Sequence, residues 1–172
     1  MTGSKLGLII GATFGLVYVL VNAGAFGMAV AVVLQVLAVA VLVGLLVVLF
    51  RPGAGAGEVQ TDPVRFSRGY WIILLAEVLA VFGGNLVINL VLELPAAVLP
   101  WVTFVVGVHF LGLARVWSAP SLTVVGGALA VCGLVGFAIA AIGGPAAAVA
   151  AVAGVLPGFV LLGGSWFAAV RP

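Results

Sequence analysis

Six long apolar segments, separated by short turns rich in proline and glycine or by one polar loop, account for most of this chain. A helix that crosses the ~30 Å hydrocarbon core of a bilayer needs roughly 20 predominantly apolar residues. The segments approach or reach that length without the alternation of a strand, and helices satisfy every backbone group in lipid. We therefore expect an all-α, polytopic membrane bundle, with helices at about 4–21, 26–50, 70–92, 95–114, 120–142 and 146–170.

The composition argues against a soluble domain. Of 172 residues, 66% are hydrophobic and 6% are charged, whereas a globular domain is typically about 25% charged. The length predicts one membrane domain over residues 1–172, surrounded by the lipid bilayer. Cys132 is the only cysteine, which excludes an intrachain disulfide. The membrane topology accounts for the basic residues behind the net charge of +2, so we expect no nucleic-acid partner.

The basic residues predict the orientation of the bundle. Paired as three hairpins, the six helices place every lysine and arginine on one side: Lys5, Arg51, Arg65, Arg68, Arg115 and Arg171. Cytoplasmic loops carry an excess of Lys and Arg. We therefore predict both termini and the loop 51–69 in the cytoplasm, for a multi-pass protein of a cytoplasmic membrane.

Small residues at four-residue spacing predict close helix contacts. The first helix carries a row typical of a glycine zipper, and the last helix a second row: Gly3, Gly7, Gly11 and Gly15; Ala146, Ala150, Gly154 and Gly158. Small residues let two backbones approach closely in lipid. We expect packing within one bundle, and the alternative is a homo-oligomer or a membrane-protein partner on these faces. Pro157 predicts a kink or a local opening of the last helix.

One carboxylate and one histidine lie well inside the predicted spans. Glu77 lies about two helical turns, ~10 Å, inside the third helix. His109 lies at nearly the same depth in the fourth, which runs the opposite way. Neighbouring helices in sequence are usually neighbours in space, so we predict a Glu77–His109 contact. Such a pair can relay a proton, hold a cation or fix the helix register, and Glu77 has Arg68 and Arg115 as alternative partners.

Amide side chains extend this predicted polar core. Asn85 and Asn89 share one face of the third helix, with Gln35 of the second helix at about the depth of Asn85 and Thr103 of the fourth close by. Amides form hydrogen bonds between helices in lipid. They are either interhelical contacts or a polar path toward Glu77 and His109. Trp101 is assigned to an aromatic belt on the far side of the membrane.

No catalytic or cofactor-binding pattern is present in the sequence. One histidine cannot build a His-rich metal or haem site, and no carboxylate cluster is available for Mg²⁺. Ser165 has only His109 as a base, and such a dyad depends on geometry rather than on presence. We therefore expect no metal, no cofactor and no enzymatic activity.

The predicted third and fourth helices carry Arg68-Gly69-Tyr70 with Glu77, then Pro100–Phe110 (PWVTFVVGVHF) and Leu113-Ala114-Arg115. These two segments resemble parts of small, uncharacterised multi-pass membrane proteins of bacteria. The resemblance implies a bacterial membrane bundle and no known activity. Two classes remain open: a non-catalytic accessory or structural protein, favoured because packing motifs outnumber polar ones, and a small transporter or channel for a proton, cation or small solute.

Overall fold

The computed structural model, which describes residues 3–51 and 67–170, is helical throughout its length and has no strand in that part of the chain. Its six long helices are α1 Gly3–Asn22, α2 Met28–Phe50, α3 Arg68–Leu90, α4 Val98–Val116, α5 Pro120–Ala141 and α6 Ala146–Val170. All six are long and apolar enough to cross a membrane, which confirms the predicted helical class. Arg65, Arg171 and most of the predicted loop 51–69 lie outside the described residues.

The helix boundaries follow the local capping chemistry. A 3₁₀ turn, Ala23–Phe26, joins α1 to α2, and another, Pro95–Ala97, leads into α4. α3 begins at Arg68, two residues before the predicted start, because Ser67 is its N-cap and the Ser67 hydroxyl accepts a hydrogen bond from the Tyr70 amide at 3.5 Å.

The helices differ in how extensively they contact their neighbours. α4 and α5 form the most extensive helix pair, α1 packs against α6 and α2, and α6 also contacts α5. α3 packs chiefly against α4. Only 6% of the most apolar window of α3 is buried, against 50% for α6. α3 is therefore a peripheral helix supported mainly by one neighbour.

Four of the basic residues lie at one end of the bundle. Lys5 Nζ donates a hydrogen bond to the Leu49 carbonyl at 3.0 Å, which joins the start of α1 to the end of α2. The rings of Tyr70 and Trp117 stack with centroids 6.0 Å apart, which joins the start of α3 to the end of α4. α6 connects these two pairs, since Ser165 faces Gly11 and Gly164 faces Val125. Lys5, Arg51, Arg68 and Arg115 therefore share this end.

The glycines of the first and last helices contact each other within the chain. A Cβ added at Gly15 would lie 2.6 Å from the Gly158 carbonyl oxygen, and one at Gly158 would lie 2.7 Å from the Gly15 carbonyl oxygen. Gly11 faces Ser165, and Gly154 faces the Asn22 side chain. Gly7 has no heavy atom within 4 Å of such a Cβ. Gly11, Gly15, Gly154 and Gly158 therefore lie in the contact between α1 and α6, whereas Gly7 does not.

The most extensive helix pair, α4 and α5, meets at a glycine seam that the sequence reasoning overlooked. Gly126 and Gly133 of α5, seven residues apart and both buried, face the backbone of α4. A Cβ at Gly126 would lie 2.8 Å from the Gly107 carbonyl oxygen, and one at Gly133 would lie 2.6 Å from the Phe104 Cα. The sequence does indicate this seam, because two glycines seven residues apart lie on the same face of a helix.

A π-helical segment, Ala151–Val155, interrupts α6 immediately before Pro157. The Leu156 amide donates to the Ala151 carbonyl five residues back, so the turn is widened. Pro157 has no amide hydrogen to give the Ala153 carbonyl, its α-helical acceptor. The fully buried Thr103 hydroxyl donates to that carbonyl instead, at 2.6 Å. The widened turn lies where Pro157 predicts a local opening, and α4 supplies the missing donor.

Candidate functional site

Glu77 of α3 and His109 of α4 make a carboxylate–imidazole contact between the two helices. His109 Nδ1 lies 3.0 Å from Glu77 Oε2, and the His109 and Glu77 side chains are 13% and 21% exposed, respectively. The alignment does not meet hydrogen-bond geometry, and His109 Nδ1 has no hydrogen-bond partner among the described residues. Of the alternative cations, Arg115 directs its guanidinium to the Leu111 carbonyl at 3.5 Å.

Close contacts at two levels hold α3 against α4 on either side of this pair. Toward the basic end, Gly112 packs on Ile73, whose Cδ1 would lie 3.1 Å from an added Cβ, and Gly69 packs on Val116. Toward the far end, the Trp101 indole lies directly over Gly84. Glycine permits both contacts because a Cβ at Gly84 or Gly112 would crowd the opposing side chain.

Between these two contacts the helices form a half-open recess with a volume of about 300 Å³. Its lining residues come from α3 and α4 alone: Ile73, Ala76, Glu77, Ala80, Trp101, Phe104, Val105, Val108, His109 and Gly112. Glu77 and His109 are the titratable groups among them. The site is therefore an apolar and aromatic recess with a single carboxylate–imidazole pair on its wall.

Trp101 has a different role from the interfacial anchor that its position predicts. Its Nε1 donates a hydrogen bond to the Ala80 carbonyl of α3 at 2.9 Å, and its ring lies 6.0 Å from that of Phe104. Gly84 of α3 leaves room for this ring, and it is the feature of the sequence from which the contact could have been predicted. The indole therefore forms one end of the recess.

The amide residues do not join Glu77 and His109 in one polar core. Asn89 Nδ2 donates to the Asn85 carbonyl of its own helix at 2.8 Å, and neither side chain lines the recess. Gln35 donates to the Leu20 carbonyl of α1 at 3.2 Å. Trp101 contacts α3 at the level between Glu77 and Asn85. The predicted polar path along α3 is therefore interrupted.

Thr103 and Tyr18 form a second polar cluster beside the π-helical segment. The Thr103 hydroxyl lies 3.4 Å from the Tyr18 hydroxyl as well as bonding the Ala153 carbonyl. This cluster joins α1, α4 and α6, which is the geometry of an interhelical contact. Sequence reasoning placed Thr103 near the amides of α3, whereas it faces α6.

The arrangement offers no dyad or metal centre in the described part of the chain. Ser165 lies against Gly11 of α1, whereas His109 faces α3. No group of three or more His, Cys, Asp or Glu side chains that could hold a metal ion occurs among residues 3–51 and 67–170.

Comparison of the chain with protein-family models, with curated proteins and with solved structures finds no match.

Proposed function

We propose that the protein is a non-catalytic accessory or structural protein of a bacterial cytoplasmic membrane, and that it acts through helix–helix contacts made by α3. The observation that carries this proposal is the support of α3 chiefly by α4, with 6% of its most apolar window buried. Lipid tails are as apolar as leucine, so a membrane helix is held in place by packing rather than by a hydrophobic drive. A helix with one main neighbour gains most from a further protein contact.

An outward-facing glycine is available for such a contact on α3, as it is on α1 at Gly7 and on α6 at Gly163. Gly11, Gly15, Gly154 and Gly158 meet partners inside the chain. On α3, Gly84 lies under Trp101, but the adjacent Gly83 is exposed and has no heavy atom within 4 Å of an added Cβ. A small residue facing outward leaves room for the backbone of another helix. The partner in this proposal is a second copy or another membrane protein.

The orientation belongs to the same proposal. The shared end of Lys5, Arg51, Arg68 and Arg115 is assigned to the cytoplasm because short cytoplasmic loops are enriched in Lys and Arg. Both termini are then cytoplasmic. Cysteine labelling at Lys5 and at Glu93 with a membrane-impermeant reagent tests this, and labelling of both from the same side contradicts it.

Photo-crosslinking from matched positions tests the contact surface. A photoreactive residue replaces Leu79 on α3 or Val36 on α2, which are 63% and 62% exposed. We expect discrete protein adducts in intact cells from position 79 and mainly lipid adducts from position 36. Purified protein in liposomes then separates the partners, since a dimer-sized adduct identifies a second copy. Equal protein yields from the two positions would refute the proposal.

The recess favours a second candidate, a small transporter or channel for a proton, cation or small solute. Its support is the Glu77–His109 pair on the wall of a cavity of about 300 Å³. Flux into liposomes distinguishes the two functions. Transport requires flux that falls in Glu77→Gln and His109→Ala, whereas the accessory function predicts no flux above that of protein-free liposomes.

A further inference from the structure

The recess between α3 and α4 has the size and the lining of a small-molecule site. Binding cavities for small molecules occupy roughly 300–1,000 Å³ and are mostly apolar with a few polar groups, and this one measures about 300 Å³. Both walls are single helices, and α3 packs chiefly against α4, so the recess is reached sideways from the apolar layer. A ligand must therefore partition into the bilayer before it binds.

Glu77 leaves unused capacity to accept hydrogen bonds. An ionised carboxylate offers about four lone-pair sites, and its neighbour His109 Nδ1 lies at 3.0 Å without hydrogen-bond alignment. A charged group in the membrane interior is costly unless it is paired. A positively charged group beside Glu77 would offset that cost, whereas an anionic ligand would add to it.

Aromatic side chains in the same lining favour an organic cation. Trp101 and Phe104 line the recess together with Glu77, and their ring centroids are 6.0 Å apart. The faces of indole and phenyl rings attract ammonium groups, most strongly when water is excluded. A bare divalent metal ion does not fit, because Ca²⁺ takes six to eight oxygen ligands and the lining supplies one carboxylate.

We propose that this recess binds a lipophilic ammonium ion, with its charge at Glu77 and its apolar substituent against Trp101 and Phe104. This site goes beyond the accessory function and does not depend on it. Binding without flux leaves the site in place and refutes transport. Failure of the α3 cross-links refutes the accessory function and leaves the site untouched.

Equilibrium dialysis with the full chain in lipid nanodiscs tests the proposal. The probe is radiolabelled 2-phenylethylammonium, and the competitor is propylbenzene, its uncharged carbon isostere, with protein-free nanodiscs as the baseline. We expect saturable binding of the cation, and we expect the isostere to need at least a tenfold higher concentration for displacement. Displacement at equal concentration would mean that the charge is irrelevant and would overturn the proposal.

Two carboxylate variants localise the charge. Glu77→Gln is expected to weaken binding of the cation at least tenfold, whereas Glu93→Gln, outside the recess, is expected to leave it unchanged. Equal effects of the two substitutions would overturn the site. Ala76→Leu keeps Glu77 and fills the lining, so it remains informative if Glu77→Gln does not fold. It is expected to weaken binding at least tenfold, and unchanged binding in a folded Ala76→Leu variant would also overturn the site.

Discussion

Substitution of Gly15 by alanine tests whether the α1–α6 crossing stabilises the fold. The added methyl group would lie 2.6 Å from the Gly158 carbonyl oxygen and 3.0 Å from the Leu161 Cβ. The first obstacle is backbone, so no side-chain rotation relieves it, and the helices must separate. Gly7→Ala is the matched control, because that position has open space within 4 Å.

The size of the effect follows from this geometry. Restoring an ordinary contact of 3.4 Å from 2.6 Å requires a shift of about 0.8 Å. A gap of 0.5–1 Å forfeits about a quarter to a half of each facing dispersion contact. Overpacking of this kind costs about 1–3 kcal/mol. Both variants gain similarly from replacing a helical glycine, so the difference between their free energies of unfolding isolates the packing cost.

The assay is reversible unfolding in mixed micelles with increasing dodecyl sulfate, followed by tryptophan fluorescence. Trp166 lies on α6, and its ring packs on Gly44 of α2. Its fluorescence therefore reports on the packing of α6 against its neighbours. We expect Gly15→Ala to be less stable than Gly7→Ala by about 1–3 kcal/mol. A difference below about 0.5 kcal/mol, the usual range for surface substitutions, would refute the glycine contact as a source of stability.

Three further substitutions test other contacts by the same unfolding assay. Thr103→Val removes the donor to the Ala153 carbonyl and is expected to cost about 1–2 kcal/mol; the cost should fall with Pro157→Ala, which restores a backbone donor, and full additivity would contradict this account. Gly84→Ala displaces the Trp101 indole and should destabilise the α3–α4 contact, whereas Gly83→Ala has open space and should not; equal effects would refute the contact. Replacing both Glu77 and His109 by leucine should leave stability unchanged or raise it by up to about 4 kcal/mol, and a marked loss would show that the pair stabilises the fold.

The helices themselves were predictable because the bilayer imposes a length and a composition on each one. Six predicted segments correspond to six helices, whose ends differ from the predicted ones by up to three residues. α3 begins two residues earlier than predicted, owing to the cap at Ser67. The Glu77–His109 contact followed from two simple rules, matched depth and adjacency in sequence. Depth along a helix is readable when charged residues mark its ends.

Rotation about the helix axis was much less predictable. Apart from Gln35, α2 is apolar around its whole circumference, so its sequence gives little sign of which face meets which neighbour. Gln35 proves to contact α1 rather than α3. Tryptophan is typical of the membrane interface, but the Trp101 side chain packs onto α3, where Gly84 leaves room for it. Matched depth alone therefore overestimates how many polar residues form one site.

The surroundings of the Glu77–His109 contact differ from those of Thr103. Aligned hydrogen bonds offset the cost of removing a polar group from water. Here the 3.0 Å contact is misaligned, and the adjoining space of about 300 Å³ is lined by the pair itself. By contrast, Thr103 is fully buried and its hydroxyl bonds a carbonyl that has lost its helical donor. The bundle thus places one polar group where it completes the backbone, and another on the wall of the recess in which we propose that a cation binds.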